Sequence, residues 1–193
     1  MSSESVDAVF QLLLAASEEG YIGEPVSQLQ HALQAAYFAH KAGCDEETVL
    51  AALLHDVGHL CEKGAPKMDA LGVMNHERLG ALWLKDLGFS QKVCDLVEGH
   101  VSAKRYLTGK HPEYHDKLSD ASKGTLVWQG GPFTPDEVTA FEKDPLGGLK
   151  LQMRHFDDLA KDPSLKVPDL ESYREMIRDH LAQEAQKRVA ESA

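Results

Sequence analysis

The chain has 193 residues and a formal net charge of −11, long enough to bury most of its apolar surface as one domain, residues 1–193, without disulfide staples. The negative charge disfavours nucleic acid, a membrane surface or any other polyanion as partner, while leaving room for a local basic pocket that binds a small anion. Three cysteines, Cys44, Cys61 and Cys94, form an odd set with no CxxC spacing, which predicts free thiols in a reducing cytoplasm.

At the N-terminus, Met1-Ser2-Ser3-Glu4-Ser5 lacks a basic segment followed by a long apolar one, and no later run approaches the ~20 apolar residues of a membrane span. A soluble, intracellular protein is expected. Apolar residues at helical spacing predict a first helix over Val6–Ala16, ended by Gly20. Tyr21-Ile22-Gly23-Glu24-Pro25 reads as a tight loop carrying an aromatic hydroxyl and a carboxylate, because proline restricts Glu24 to extended backbone and glycine permits a sharp bend. Helix resumes from Ser27 and stops near Gly43. Asp45 is then an N-cap with Glu46 and Glu47 in the first turn, and this helix delivers His55 and Asp56. After a loop over Cys61–Gly72, Asn75 caps a helix to Leu87 and Ser90 caps another that carries Glu98, Gly99 and His100. Ser119–Gln129 is helical and is stopped by Gly130-Gly131-Pro132. Thr134-Pro135-Asp136-Glu137 combines an N-cap, a proline at the first helical position and a capping-box glutamate. Leu146–Lys161 and a charged, surface-lying Leu170–Val189 complete the helices. With no alternating strands and no repeat, the expected fold is all-α.

The chemistry centres on Ala51-Ala52-Leu53-Leu54-His55-Asp56-Val57-Gly58-His59, an apolar helix ending in an imidazole beside a carboxylate. Adjacent side chains do not share a helix face, so both reach one metal only where the helix ends or distorts. Gly58 is expected to supply that ending. Ten histidines is a high number, and His31, His55, His76 and His100 fall on separate helices or helix ends, with Asp157 and Asp158 on a late one. Any one histidine reads as an ordinary core or surface residue, but the set would need several independent accidents. A bundle can point such residues at one site. Four imidazoles, two or more carboxylates and no thiolate suit Fe, Mn or Zn, and Asp56 is the best candidate to be shared between two ions.

His31, His55-Asp56, His76, His100 and a late aspartate follow the H…HD…H…H…D pattern of HD-domain proteins, in the version whose two extra histidines support a dinuclear site. Five stretches, Tyr21-Ile22-Gly23-Glu24, Leu53–His59, Glu98–Leu107, Leu118–Ser122 and Gln129–Pro132, resemble the phosphonate-cleaving, mixed-valent diiron HD oxygenases, relatives of myo-inositol oxygenase. The resemblance runs from about the first helix to the last. It implies an HD-domain helical bundle with the dinuclear site in its core, two Fe ions as Fe(II)/Fe(III), and O2 as cosubstrate. It implies that His31, His55, Asp56 and Asp157 hold one iron and that Asp56, His76 and His100 hold the other. Asp157 is preferred to Asp158 because Arg154-His155-Phe156-Asp157 matches the family's Arg-x-aromatic-Asp.

The resemblance further implies that Tyr21 ligates the second iron until substrate displaces it, and that Glu24 then takes the substrate ammonium. His59, Lys104, Ser122, Thr125, Gln129 and Arg154 are the expected partners of a phosphonate headgroup, with Arg154 a two-pronged donor and Lys104 a point charge. Each has an ordinary alternative as a surface charge or local backbone partner. Tyr21, Glu24 and His59 form the expected catalytic set. A carboxylate suits a primary ammonium, whereas a quaternary one has no N–H and calls for an aromatic cage. The expected reaction is therefore oxidative cleavage of 2-amino-1-hydroxyethylphosphonate to glycine and phosphate. The rivals are an HD phosphohydrolase, an oxygenase for hydroxymethylphosphonate or the trimethylammonio analogue, and a non-catalytic sensor. The oligomeric state is not legible.

Overall fold

The computed structural model describes residues 2–17, 20–21, 23–61, 64–69 and 71–191. Ile22 of the Tyr21–Pro25 loop, and Glu62, Lys63 and Ala70 of the loop after Cys61, lie outside the described residues. The described chain forms α1 (Ser2–Ala15), α2 (Gln28–Lys41), α3 (Glu46–Leu54), α4 (Gly58–Cys61), α5 (His76–Leu87), α6 (Gln91–Lys110), α7 (Pro112–Lys117), α8 (Asp120–Trp128), α9 (Pro135–Phe141), α10 (Gly147–Leu159) and α11 (Arg174–Glu191), the last preceded by a 3-10 turn at Leu170–Tyr173. Among the described residues no strand forms, and two isolated bridges, Gly20–Ser27 and Lys67–Val73, pin the loops. The fold is all-α, as expected.

Short polar side chains start five of these helices. Ser27, Asp45, Ser90, Ser119 and Thr134 each accept the backbone N–H three residues on, satisfying donors that a helix start leaves unpaired. Ser27 with Gln30 and Thr134 with Glu137 close full capping boxes.

The bundle is built around α3. Every residue from Thr48 to Leu54 is buried, because its apolar residues run all the way round and no face is left for water. Helices α2, α6, α10 and α11 pack against it. Fully burying a leucine is worth about 1.5–3 kcal/mol, and Leu50, Leu53 and Leu54 are buried together.

Three expectations need correction. Gly58 does not release α3: the helix stops at Leu54, and Gly58 opens α4 without a left-handed φ. Its role is close approach, since a Cβ there would lie 1.8 Å from the His76 carbonyl oxygen. Asn75 occupies the N-cap of α5 but makes no side-chain cap; it sits at φ 54°, ψ 31°, a left-handed turn that asparagine tolerates. The last helix is charged but not wholly on the surface, for Ile177, His180 and Leu181 are buried. Helix α7 escapes sequence reading because it buries no residue and so carries no apolar period.

Two predictions follow from the packing. Gly58→Ala is expected to lose about 1–3 kcal/mol of stability or more, read as a lower urea midpoint; an unchanged midpoint would mean that α5 moves aside freely. Burial holds buried His180 below its ordinary pKa, and its Nε2 accepts the Ser90 N–H (3.2 Å) that opens α6. The unfolded chain therefore takes up this proton first as pH falls, so the contribution is complete above about pH 6.5 and is lost on descending through the folded pKa. The drop in melting temperature between about pH 7.5 and about 5.5 should be smaller in His180→Gln, whose amide oxygen accepts the same N–H without titrating.

Candidate metal centre

Beyond α3 the backbone tightens. Val57 N–H donates to Leu54 O (3.2 Å) and His59 N–H to Asp56 O (3.0 Å), three-residue turns that bring adjacent side chains together where a regular helix keeps them apart. His55 Nε2 accordingly lies 3.4 Å from Asp56 Oδ2.

Backbone carbonyls orient the imidazoles. Nδ1 of His31 bonds Ala160 O (2.8 Å), Nδ1 of His55 bonds Ala52 O (2.8 Å), and Nδ1 of His100 bonds Val97 O (2.7 Å). A carbonyl only accepts, so each Nδ1 carries the proton and each Nε2 offers a lone pair. Yet Nε2 of His31 and His55 stand 3.0 Å apart, and those of His76 and His100 stand 3.1 Å apart. In the first pair two lone pairs face each other and repel unless a cation stands between them; in the second the His100 lone pair faces a His76 ring whose Nδ1 makes no hydrogen bond. Two donors at right angles on one ion at ~2.1 Å are ~3.0 Å from each other, so the spacing suits a metal.

Carboxylates complete two groups that could each hold an ion: His31, His55 and Asp157, and Asp56, His76 and His100. All six residues are buried. Asp56 reaches both groups, with Oδ2 3.6 Å from His31 Nε2 and Oδ1 3.4 Å from His76 Nε2 and 3.5 Å from His100 Nε2. Asp157 Oδ1 lies 3.4 Å from His31 Nε2, while its Oδ2 takes a 2.6 Å hydrogen bond from Arg154 Nη1. Asp158 instead pairs with Arg154 and Tyr114. The nitrogen and oxygen donors, without sulfur, suit Fe, Mn or Zn.

The charges agree. Burial opposes ionisation of Asp56 and Asp157, but His55 facing the first and Arg154 beside the second hold both carboxyls well below the usual range. Burial likewise opposes charge on His55, yet Asp56 lifts it to about 9. His55 thus takes a proton into the gap when nothing else fills it, and a metal ion must displace that proton.

A narrow cleft of about 40 Å³ opens over the two groups, room for no more than a few waters. Tyr21, Glu24, Asp56, His59, His76, His100, Lys104, Ser122, Thr125, Gln129, Arg154 and Asp157 all line it, whereas His31 and His55 lie behind, completely buried. Tyr21 stacks flat on His31 (centroids 3.8 Å, 12°), and burial together with Asp56 and Asp157 raises its hydroxyl pKa. His59 stacks on His76 (3.9 Å) and its Nδ1 accepts the Val73 N–H. Burial and the neighbouring His76 lower its pKa to about 3, leaving a neutral ring with an Nε2–H donor. Lys104 donates to Thr125 Oγ1 (2.9 Å); burial, reinforced by Arg154, lowers it to about 7. Arg154 spends Nε on the Tyr114 hydroxyl and both terminal nitrogens on Asp157 and Asp158. Glu24 Oε1 and Gln129 Oε1 are buried acceptors with no hydrogen bond.

The sequence reading missed Lys161, which also lines the cleft, and Tyr114, which with Asp158 braces Arg154. Lys161 has only its i+4 spacing from Asp157 as a signal. Replacing Asp56 by alanine removes the carboxylate shared by both groups, and metal per chain after desalting is expected to fall from two to one or none by elemental analysis; two retained ions would exclude Asp56 as a bridge.

Comparison with known proteins places this geometry. Residues 29–124 match the HD domain. The chain is 40% identical over 162 residues to the [1-hydroxy-2-(trimethylamino)ethyl]phosphonate dioxygenase (glycine-betaine-forming) of Leisingera caerulea, covering 83% of this chain and 82% of that one. It is 38% identical over 172 residues to the hydroxymethylphosphonate dioxygenase of Gimesia maris, covering 88% and 85%. A protein of Acanthamoeba polyphaga mimivirus is 38% identical over 182 residues, covering 93% and 83%. With the buried histidine–aspartate groups these likenesses carry one conclusion: the chain belongs to the HD-domain family, in the group that contains these two phosphonate dioxygenases.

Proposed function

We propose that this protein is an O2-dependent oxygenase of 1-hydroxyphosphonates, and that its substrate is 2-amino-1-hydroxyethylphosphonate, cleaved to glycine and phosphate. The products hold two more oxygen atoms than the substrate, so one O2 balances the reaction, with the C–P bond broken and C1 oxidised to a carboxylate. The relatives that act on 1-hydroxyphosphonates support the class.

The observation that carries the choice of substrate is the polarity of the cleft. Lys104 is a buried amine, lowered by burial to about 7, whose hydrogen-bonded partner is a neutral hydroxyl; an incoming anion stabilises its charged form. Gln129 Oε1 is a buried acceptor without a donor, and Glu24 Oε1 takes no hydrogen bond although Lys161 Nζ stands 2.9 Å from it; a phosphonate, an acceptor, cannot satisfy either oxygen and a primary ammonium can. A quaternary ammonium has no N–H to give them.

In this reading His31, His55, Asp56 and Asp157 hold one iron, and Asp56, His76 and His100 the other. Such a pair, as Fe(II)/Fe(III), supplies the oxidising chemistry with O2. The chain's own groups position the substrate: Lys104, His59, Ser122 and Thr125 bind the phosphonate, Arg154 adds charge behind Asp157, and Glu24 anchors the ammonium. Tyr21, which lines the cleft and stacks on His31, leaves as substrate enters.

The test is product analysis of protein reconstituted with iron and mixed with 2-amino-1-hydroxyethylphosphonate, with and without O2. Glycine and phosphate are expected in equal amounts and only aerobically. Undiminished phosphate release under anaerobic conditions would establish hydrolytic C–P cleavage instead, and turnover of hydroxymethylphosphonate or the trimethylammonio analogue alone would reassign the substrate.

A further inference from the structure

Glu24 already has a cation beside it. Lys161 Nζ lies 2.9 Å from Glu24 Oε1, with both side chains largely buried (17% and 11% exposed), and both line the cleft over the metal groups. The pair is a charge contact and not a hydrogen bond, since Oε1 takes none.

The two ends of this pair are held by different parts of the fold. Lys161 follows the end of α10, where Ala160 O binds His31. The next residue is pinned to α2 by a double contact: Gln34 Nε2 donates to Asp162 O (2.7 Å), and Asp162 N–H donates to Gln34 Oε1 (3.2 Å). Glu24 sits on a turn with Gly23 at φ +69°, closed by its own N–H on Tyr21 O (2.9 Å). Tyr21 and Glu24 therefore belong to one short turn, and the fixed lysine holds that turn over the site.

We propose that Lys161 is a positioning and specificity-determining residue: its ammonium occupies the Glu24 carboxylate in the ligand-free protein, competes there with the ammonium tail of the substrate, and so limits how strongly the site prefers phosphonates that carry an ammonium over those that do not. This rests on the reading of the site given above. A ligand that must displace a resident partner binds more weakly by the fraction of protein in which that partner is absent. A phosphonate without an ammonium does not use Glu24 and escapes that competition. Removing the lysine charge leaves Glu24 as an uncompensated carboxylate, which attracts an ammonium and repels a phosphonate that brings none.

The experiment measures anaerobic binding of 2-amino-1-hydroxyethylphosphonate and hydroxymethylphosphonate to the iron-loaded protein by calorimetry, for the wild type, Lys161→Met and Lys161→Arg. Lys161→Met is expected to raise the ratio of affinities in favour of the amino compound at least five-fold, and Lys161→Arg to keep the wild-type ratio. The same substitution in a Glu24→Gln background should leave the ratio unmoved, because the lysine acts through that carboxylate. A ratio unchanged by Lys161→Met, or changed equally with and without Glu24, overturns the role while leaving the oxygenase reading intact. Binding of neither phosphonate to the wild type overturns both. Should Lys161→Met fold poorly, Lys161→Gln carries the same expectation.

Discussion

The structure depends on imidazoles whose protons are spoken for by the backbone. Ala52 O and Val97 O lie three residues before His55 and His100 on the same stretches of chain, so helical geometry itself fixes those two rings. His31 needs a carbonyl from far away, Ala160 at the end of α10. That requirement explains why the end of α10 is bound so firmly to α2 through Gln34 and Asp162. With the outer nitrogens of His31 and His55 committed, their inner ones can only face each other, and both rings are buried from water. Folding thus creates a concentration of lone pairs that is stable only with positive charge inside it.

Asp56 sets how that positive charge is divided. Its two oxygens face different pairs of histidines, so neither group is independent of the other. The tightened turn at residues 54–59 makes this possible, and it in turn requires that α5 come close enough for the His76 carbonyl to touch Gly58. Backbone contact between α4 and α5, invisible in any list of metal donors, therefore fixes the distance between the two groups.

The sequence made local features legible. Caps at Asp45, Ser90 and Thr134 and helix starts at Ser27 and Ser119 are read from short-range chemistry and lie where the backbone needs them. Contacts between distant segments were not legible. Gly58 looked like a helix stop because glycine most often is one, and its close approach to His76 depends on the packing of another helix. Asn75 has the right residue type for a cap but the wrong backbone, a left-handed turn imposed by the direction in which α5 must leave. The histidine set could be read as convergent, but which aspartate joins it is decided by Arg154: the guanidinium holds Asp157 with one oxygen toward His31 and draws Asp158 away toward Tyr114. Lys161 was missed for a similar reason, since only the folded loop brings Glu24 to it.

The cleft also shows how a protein of net charge −11 can present a basic site. Its cations are not equivalent. Arg154 is surrounded by Asp157, Asp158 and Tyr114, and much of its charge is spent holding a carboxylate toward His31. Lys161 is matched by Glu24. Lys104 has a threonine hydroxyl as its hydrogen-bonded partner, and burial has already lowered its hold on its proton. A buried ammonium gains most from a new counter-ion when it is not already committed to one. By that criterion Lys104, and not the more conspicuous arginine, is the cation whose charge remains free for an anionic headgroup, while Arg154 serves that headgroup chiefly through the carboxylate it keeps in place.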